Sequence, residues 1–201
     1  MAQPPRWMTD TSPGHSQWYI ERFRTMAADG ADLAGEARML DAVVDRGARI
    51  LDAGCGPGRV GAELHQRGHL VVGVDVDPEL ITAAIADHPG PTWLQGDLAD
   101  LDLAVYGQDA PFDAAIIAGN VMTFLAPGSE AEVLRRTAAH VRPDGPVVVG
   151  FGLDRGYSLD GFDADISTAG LVVEQRFSTW DLRAFTPDSG FCVSILRVPT
   201  G

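Results

Sequence analysis

Asp52 and Asp75 each close an apolar run, Ile50-Leu51-Asp52 and His69-Leu-Val-Val-Gly-Val-Asp75, so a sheet would deliver both carboxylates to one edge. Between them, Gly54, Gly56 and Gly58 alternate in Gly54-Cys55-Gly56-Pro57-Gly58. Such glycines let the backbone take positive φ and approach a ligand with no Cβ in the way. A helix opening near Arg59 would turn unpaired N–H groups into the loop, as an anionic or strongly polar ligand needs. Gly56-Pro57-Gly58-Arg59-Val60-Gly61 also satisfies G-x-G-x-x-G, the dinucleotide fingerprint. Asp75 lies 75 − 58 = 17 residues beyond Gly58, near the separation of about 20 for an acid that grips ribose hydroxyls. This spacing supports a nucleoside ligand without deciding which. Asp52 separates the options: a carboxylate at the mouth of the loop would repel a pyrophosphate and suits a cationic ligand.

Leu51-Asp52-Ala53-Gly54-Cys55-Gly56-Pro57-Gly58 resembles the first motif of the class I S-adenosylmethionine-dependent methyltransferases, an apolar strand, an acid and then G-x-G-x-G. The resemblance implies that Gly54, Cys55 and Gly56 cradle the methionine part of the cofactor and that Asp52 helps hold its ammonium group through water. It places Asp75, with Val76 beside it, at the ribose. In Gly96-Asp97-Leu98 it gives Asp97 to the adenine amine and the Leu98 N–H to a ring nitrogen, where residue pattern alone would read an ordinary turn. Ala118 and Gly119 would offer backbone where the chain crosses the methyl group, and Asn120 a side chain, although Asn120 could equally cap the helix that follows. The likeness spans about residues 50–198. It implies a doubly wound, Rossmann-like α/β fold with a seven-stranded, mostly parallel sheet and an antiparallel last strand. One departure is Asp144, in Arg142-Pro143-Asp144-Gly145, where a second glycine is more usual.

The elements that must position these residues alternate along the chain. Apolar runs at 147–151 and 112–118 read as strands covered on both faces, and Asp77-Pro78 opens a helix with Asp77 as N-cap, a structural rather than a ligand-binding acid. Two late strands, 171–177 and 191–198, lack a helix between them and should pair antiparallel. The intervening Trp180-to-Gly190 segment is long enough to overhang the site. Residues 1–14, rich in proline and polar side chains, read as a mobile arm with nothing to pack. Residues 15–46 read as two leading helices, the first capped by Ser16, and the resemblance implies that they lie across the cofactor as a lid. His15, Trp18 and Tyr19 are the candidate substrate contacts there, with core anchoring as the competing reading of the two aromatics. Ser129 is expected to cap the helix through Val133 and Leu134. Residues 47–201 complete the single domain as the cofactor-binding sheet.

Composition narrows the partners. At 201 residues and 45% hydrophobic, the chain can bury one core. With 15 Lys and Arg against 28 Asp and Glu, its net charge of −13 disfavours nucleic acids and anionic membranes. The five histidines are scattered, so no metal is expected. Cys55 and Cys192 form no disulfide or zinc spacing, and the N-terminus has no apolar signal core, which together suggest a reduced, cytoplasmic setting. The expected function is methyl transfer from S-adenosylmethionine to a small-molecule nucleophile, with no base evident. A nicotinamide-dependent oxidoreductase and a non-catalytic cofactor-binding regulator are the alternatives. The oligomeric state stays open.

Overall fold

The computed structural model describes residues 3–200. Its strands are β1 (Arg49–Ala53), β2 (Leu70–Asp75), β3 (Thr92–Gln95), β4 (Ala114–Ile117), β5 (Pro146–Gly152), β6 (Val172–Phe177) and β7 (Phe191–Arg197). They form one seven-stranded sheet in the order β3-β2-β1-β4-β5-β7-β6. β1 to β5 are mutually parallel, whereas β7 runs antiparallel to both neighbours. The expected doubly wound topology and antiparallel closure are therefore present. Strand order reverses between β1 and its neighbours β2 and β4, which opens a crevice at their carboxyl ends.

Alternate residues along each strand feed opposite faces. Leu51, Val72 and Val74 pack with Phe112, Phe151 and Phe162 on one side. On the other, Ile50, Val71 and Ile116 pack with Leu40 and Leu64. Helices cover both faces of the sheet centre, which is why every residue of β5 is buried. Gly73 sits in the middle of β2, where the Trp93 ring lies so close that a Cβ would stand 2.4 Å from Cε3. Gly73→Ala is expected to cost about 1–3 kcal/mol or more by overpacking, read as a lower midpoint in urea unfolding; an unchanged midpoint would refute this packing.

The leading segments depart from expectation in two places. α1 (Arg6–Thr9) is a helical turn inside the stretch read as an unpacked arm. Trp7 explains the difference, because its ring packs edge-on against Tyr19 and Phe124 and its Nε1–H donates to Asp77 at 2.7 Å. Met1 and Ala2, the start of that arm, lie outside the described residues. α2 (His15–Ala28) begins after Gly14, whose φ of 82° makes the turn, and not with Ser16 as a cap. The Ser16 hydroxyl donates to Asp77 instead. α3 (Gly35–Val43) follows and leads into β1.

Beyond the glycine loop come α4 (Arg59–Gln66), α5 (Pro78–Asp87), α6 (Val121–Phe124), α7 (Glu130–Ala139) and α8 (Leu159–Thr168). Asp77 caps α5 as expected, accepting the Glu79 N–H at 2.8 Å. Ser129 does not cap α7; its hydroxyl donates to the Ala126 carbonyl. No residue of the segment after β6 lines the cavity at the carboxyl ends of the strands: Trp180 packs over Gly150 and Gly35, on the face covered by α3. Among the described residues no helix is long and apolar enough to cross a membrane.

Candidate functional site

A cavity opens where β1, β2 and β4 end, and its sheet side is made by the glycine loop. The Gly54 and Cys55 N–H groups both donate to the Val74 carbonyl, at 2.8 and 3.0 Å, which folds the loop over the end of β2. Gly54 has φ 81°, and a Cβ there would lie 2.3 Å from Val121 Cγ2, so no other residue fits. The Gly56 N–H then donates to Asp75 Oδ2 at 2.8 Å. Asp75 Oδ1 accepts the Asp77 N–H at 3.0 Å. One carboxylate thus ties the loop to the start of α5.

Asp52 is 1% exposed, and its Oδ2 has no hydrogen-bond partner. It forms the floor of the cavity, not its mouth, because β1 ends beneath the loop. Burial pushes its carboxyl up to about 7, against the pull of the Gly61 amide and the Arg59 guanidinium. Asp75, also buried, is pushed up to about 6 by the same desolvation, opposed by the amides of Asp77 and Gly56. At the far side, Asp97 Oδ1 accepts the Ala99 N–H at 2.9 Å and opens a 3-10 turn, Leu98–Asp100. Asp97 is therefore a turn residue and a cavity residue at once.

Asp52, Gly54, Cys55, Gly56, Asp75, Val76, Asp97, Leu98 and Ala118 all line this cavity, as does Gly119. Asn120 does not. Its φ is 67°, its side chain caps nothing, and Oδ1 accepts the Gly152 N–H at 2.8 Å, fixing the loop after β4 to the end of β5. Of the three expected substrate contacts only Tyr19 reaches the cavity. Its hydroxyl stands 3.7 Å from where a Cβ on Gly119 would be. Trp18 is 53% exposed and His15 packs edge-on against Trp7, and neither lines the cavity.

The opposite wall carries residues that sequence reasoning did not assign to the site: Trp7, Phe23, Arg59, Phe124 and Leu125. Phe23 follows Tyr19 by one helical turn, a spacing visible in the sequence. Arg59 offered no such signal, because its role depends on a distant partner. Its guanidinium is held by Glu36, with Nη1 to Oε2 at 2.9 Å, donates to the Leu33 carbonyl, and lies 5.1 Å from the Phe23 ring centre.

An unpartnered buried carboxylate oxygen, a loop that admits only glycine at Gly54 and a paired acid at the end of β2 fit a ligand with a cationic end and a ribose. The comparisons with known proteins agree. A methyltransferase domain matches residues 50–145. A TehB-like S-adenosylmethionine-dependent methyltransferase from Corynebacterium glutamicum is 41% identical, with a TM-score of 0.86 over 92% of this chain and 99% of that one. Trans-aconitate 2-methyltransferase of an Azoarcus species is 34% identical over 53% of this chain and 40% of its own length. Magnesium-protoporphyrin O-methyltransferase of Rhodobacter capsulatus is 34% identical over 48% of this chain and 46% of its own. The matches thus span less than half the length of these two curated relatives. The chain belongs to the S-adenosylmethionine-dependent methyltransferases, so its cofactor is S-adenosylmethionine and the nicotinamide alternative falls.

Proposed function

We infer that this enzyme methylates a small molecule seated between the glycine loop and the aromatic wall of Trp7, Tyr19 and Phe124. That wall carries the reading: it lies across the cavity from the loop and offers an acceptor apolar ring surfaces. The net charge of −13 weighs against a nucleic-acid substrate. The two free, buried cysteines suit a reducing, cytoplasmic setting.

S-adenosylmethionine supplies a methyl group on a sulfonium, already an activated leaving group. The residues of the chain have the tasks of holding and drying the site. Asp52 would hold the ammonium end, Asp75 the ribose, Asp97 and the Leu98 N–H the adenine, with the Ala118 and Gly119 backbone lining the methyl end of the cavity. Fixing two reactants in line can contribute roughly 7–11 kcal/mol, and the aromatic wall excludes water. Desolvation pushes the Tyr19 phenol up and the Cys55 thiol well up, so neither serves as a base near neutral pH. An acceptor that arrives as a free amine or an ionised acid needs no help from either, and any proton left on the methylated product passes to bulk solvent once the product leaves. A screen of small O, N, S and C nucleophiles with radiolabelled methyl donor should find one that turns over. Transfer confined to protein or nucleic acid in parallel reactions would refute the small-molecule reading.

A further inference from the structure

Asp77 is 3% exposed and accepts more hydrogen bonds than a helix cap requires. Oδ1 takes the Glu79 N–H, while Oδ2 takes the Trp7 indole N–H at 2.7 Å and the Ser16 hydroxyl. Trp7 and Ser16 stand in α1 and at the start of α2, the two elements that supply Trp7 and Tyr19 to the aromatic wall. α2 packs on α5 and α1 on α6, so together they bridge the cavity from the β2 side to the β4 side. Ile20, with Trp7 and Tyr19, packs against Leu80 and Ala83 beside the same anchor. The Asp77 amide, for its part, donates to Asp75 Oδ1. One residue is thus bonded through its main chain to the acid at the end of β2 and through its side chain to the wall opposite.

We propose that Asp77 is a positioning residue for methyl transfer: its carboxylate latches α1 and α2 closed over the cofactor through Trp7 and Ser16, and its amide couples that latch to Asp75. The latch opens to exchange cofactor and product. Closure completes the aromatic wall with Trp7 and Tyr19 and dries the cavity.

Asp77→Asn separates latch from cap. Asparagine caps a helix as well as aspartate does, yet its amide nitrogen cannot accept from the indole. The measurement is the association and dissociation of S-adenosylhomocysteine on immobilised protein by surface plasmon resonance, a signal that does not depend on any tryptophan. Asp77→Asn should raise both rates together, by about tenfold or more, with the thermal midpoint close to wild type. Trp7→Phe and Ser16→Ala should move both rates the same way, and should carry the test if Asp77→Asn does not fold. Adding Trp7→Phe to Asp77→Asn should give no further increase, since both remove one interaction. Rates within twofold of wild type, additive effects, or faster dissociation with unchanged association would each overturn the latch. The proposal rests on the cofactor occupying this cavity, which titration of the wild type tests separately. No binding there removes both readings, whereas binding with unchanged exchange in the variants removes only the latch.

Discussion

Asp75→Ala is expected to weaken S-adenosylhomocysteine by about 10–150-fold for each hydrogen bond lost to the ribose, since a bond to a charged acceptor is worth roughly 1.5–3 kcal/mol. A carboxylate offers about four acceptor positions. The Gly56 and Asp77 amides take two of them, one on each oxygen, and leave a lone pair on each for the hydroxyls. Alanine would also free the Gly56 amide and loosen the loop, which adds to the loss. Asp75→Asn keeps one acceptor oxygen and should fall between. Calorimetric titration with S-adenosylhomocysteine, beside a melt of each variant, reads the effect. An alanine variant that folds and binds within threefold of wild type would show that Asp75 serves the loop alone.

The architecture was legible because it depends on patterns within single segments. β5 is one unbroken apolar run, and burial on both faces of a parallel sheet requires that. Asp144 shows that even a departure from pattern can be read: it stands at φ 62°, the left-handed region glycine occupies at no cost, so the usual glycine and this aspartate serve the same turn. The site was legible wherever a strand end delivers a residue, as with Asp52, Asp75 and Ala118. It was not legible where a long-range partner decides. Trp7 lies inside the stretch that reads as a mobile arm, yet its acceptor is 70 residues away. Ser16 had the residue type of a cap, but an acid 61 residues on claims its hydroxyl. The residue type of Asn120 suits either a cap or a ligand contact, and the Gly152 amide takes its oxygen instead. Burial was the other hidden quantity. Sequence placed the Asp52 charge but not its depth beneath the loop, and depth fixes whether the group is charged at all.

That depth yields an expected pH dependence with a definite sign. Burial pushes the Asp52 carboxyl up to about 7 in the folded chain, from an ordinary value of 3.8 that unfolding restores. Between those values the native state holds more protons, so its stability falls as pH rises through the window and levels off above about 7. The span of about 3 units corresponds to on the order of 4 kcal/mol. Asp75, raised to about 6, acts in the same direction. Asp32 and Glu132, held down to about 2 by arginine partners, act only below about pH 4. His88, lowered by burial, works the other way as pH falls below its ordinary value, and its half-buried ring makes it the smaller contribution. The ligand-free protein should therefore melt several degrees higher at pH 5.5 than at pH 8. Asp52→Asn removes the ionisable group and should flatten most of that slope, leaving the variant more stable than wild type above pH 7. Binding should show the counterpart. An ammonium group beside Asp52 favours its ionised form, so wild-type protein at pH 6 should release a proton on taking up S-adenosylhomocysteine. Calorimetry in two buffers of different ionisation enthalpy measures that release, and affinity should climb with pH until about 7. Asp52→Asn should release less and bind more weakly at every pH. Equal proton release by wild type and variant, or an unchanged melting slope, would show that this carboxylate neither carries the buried charge nor meets the cofactor's cation.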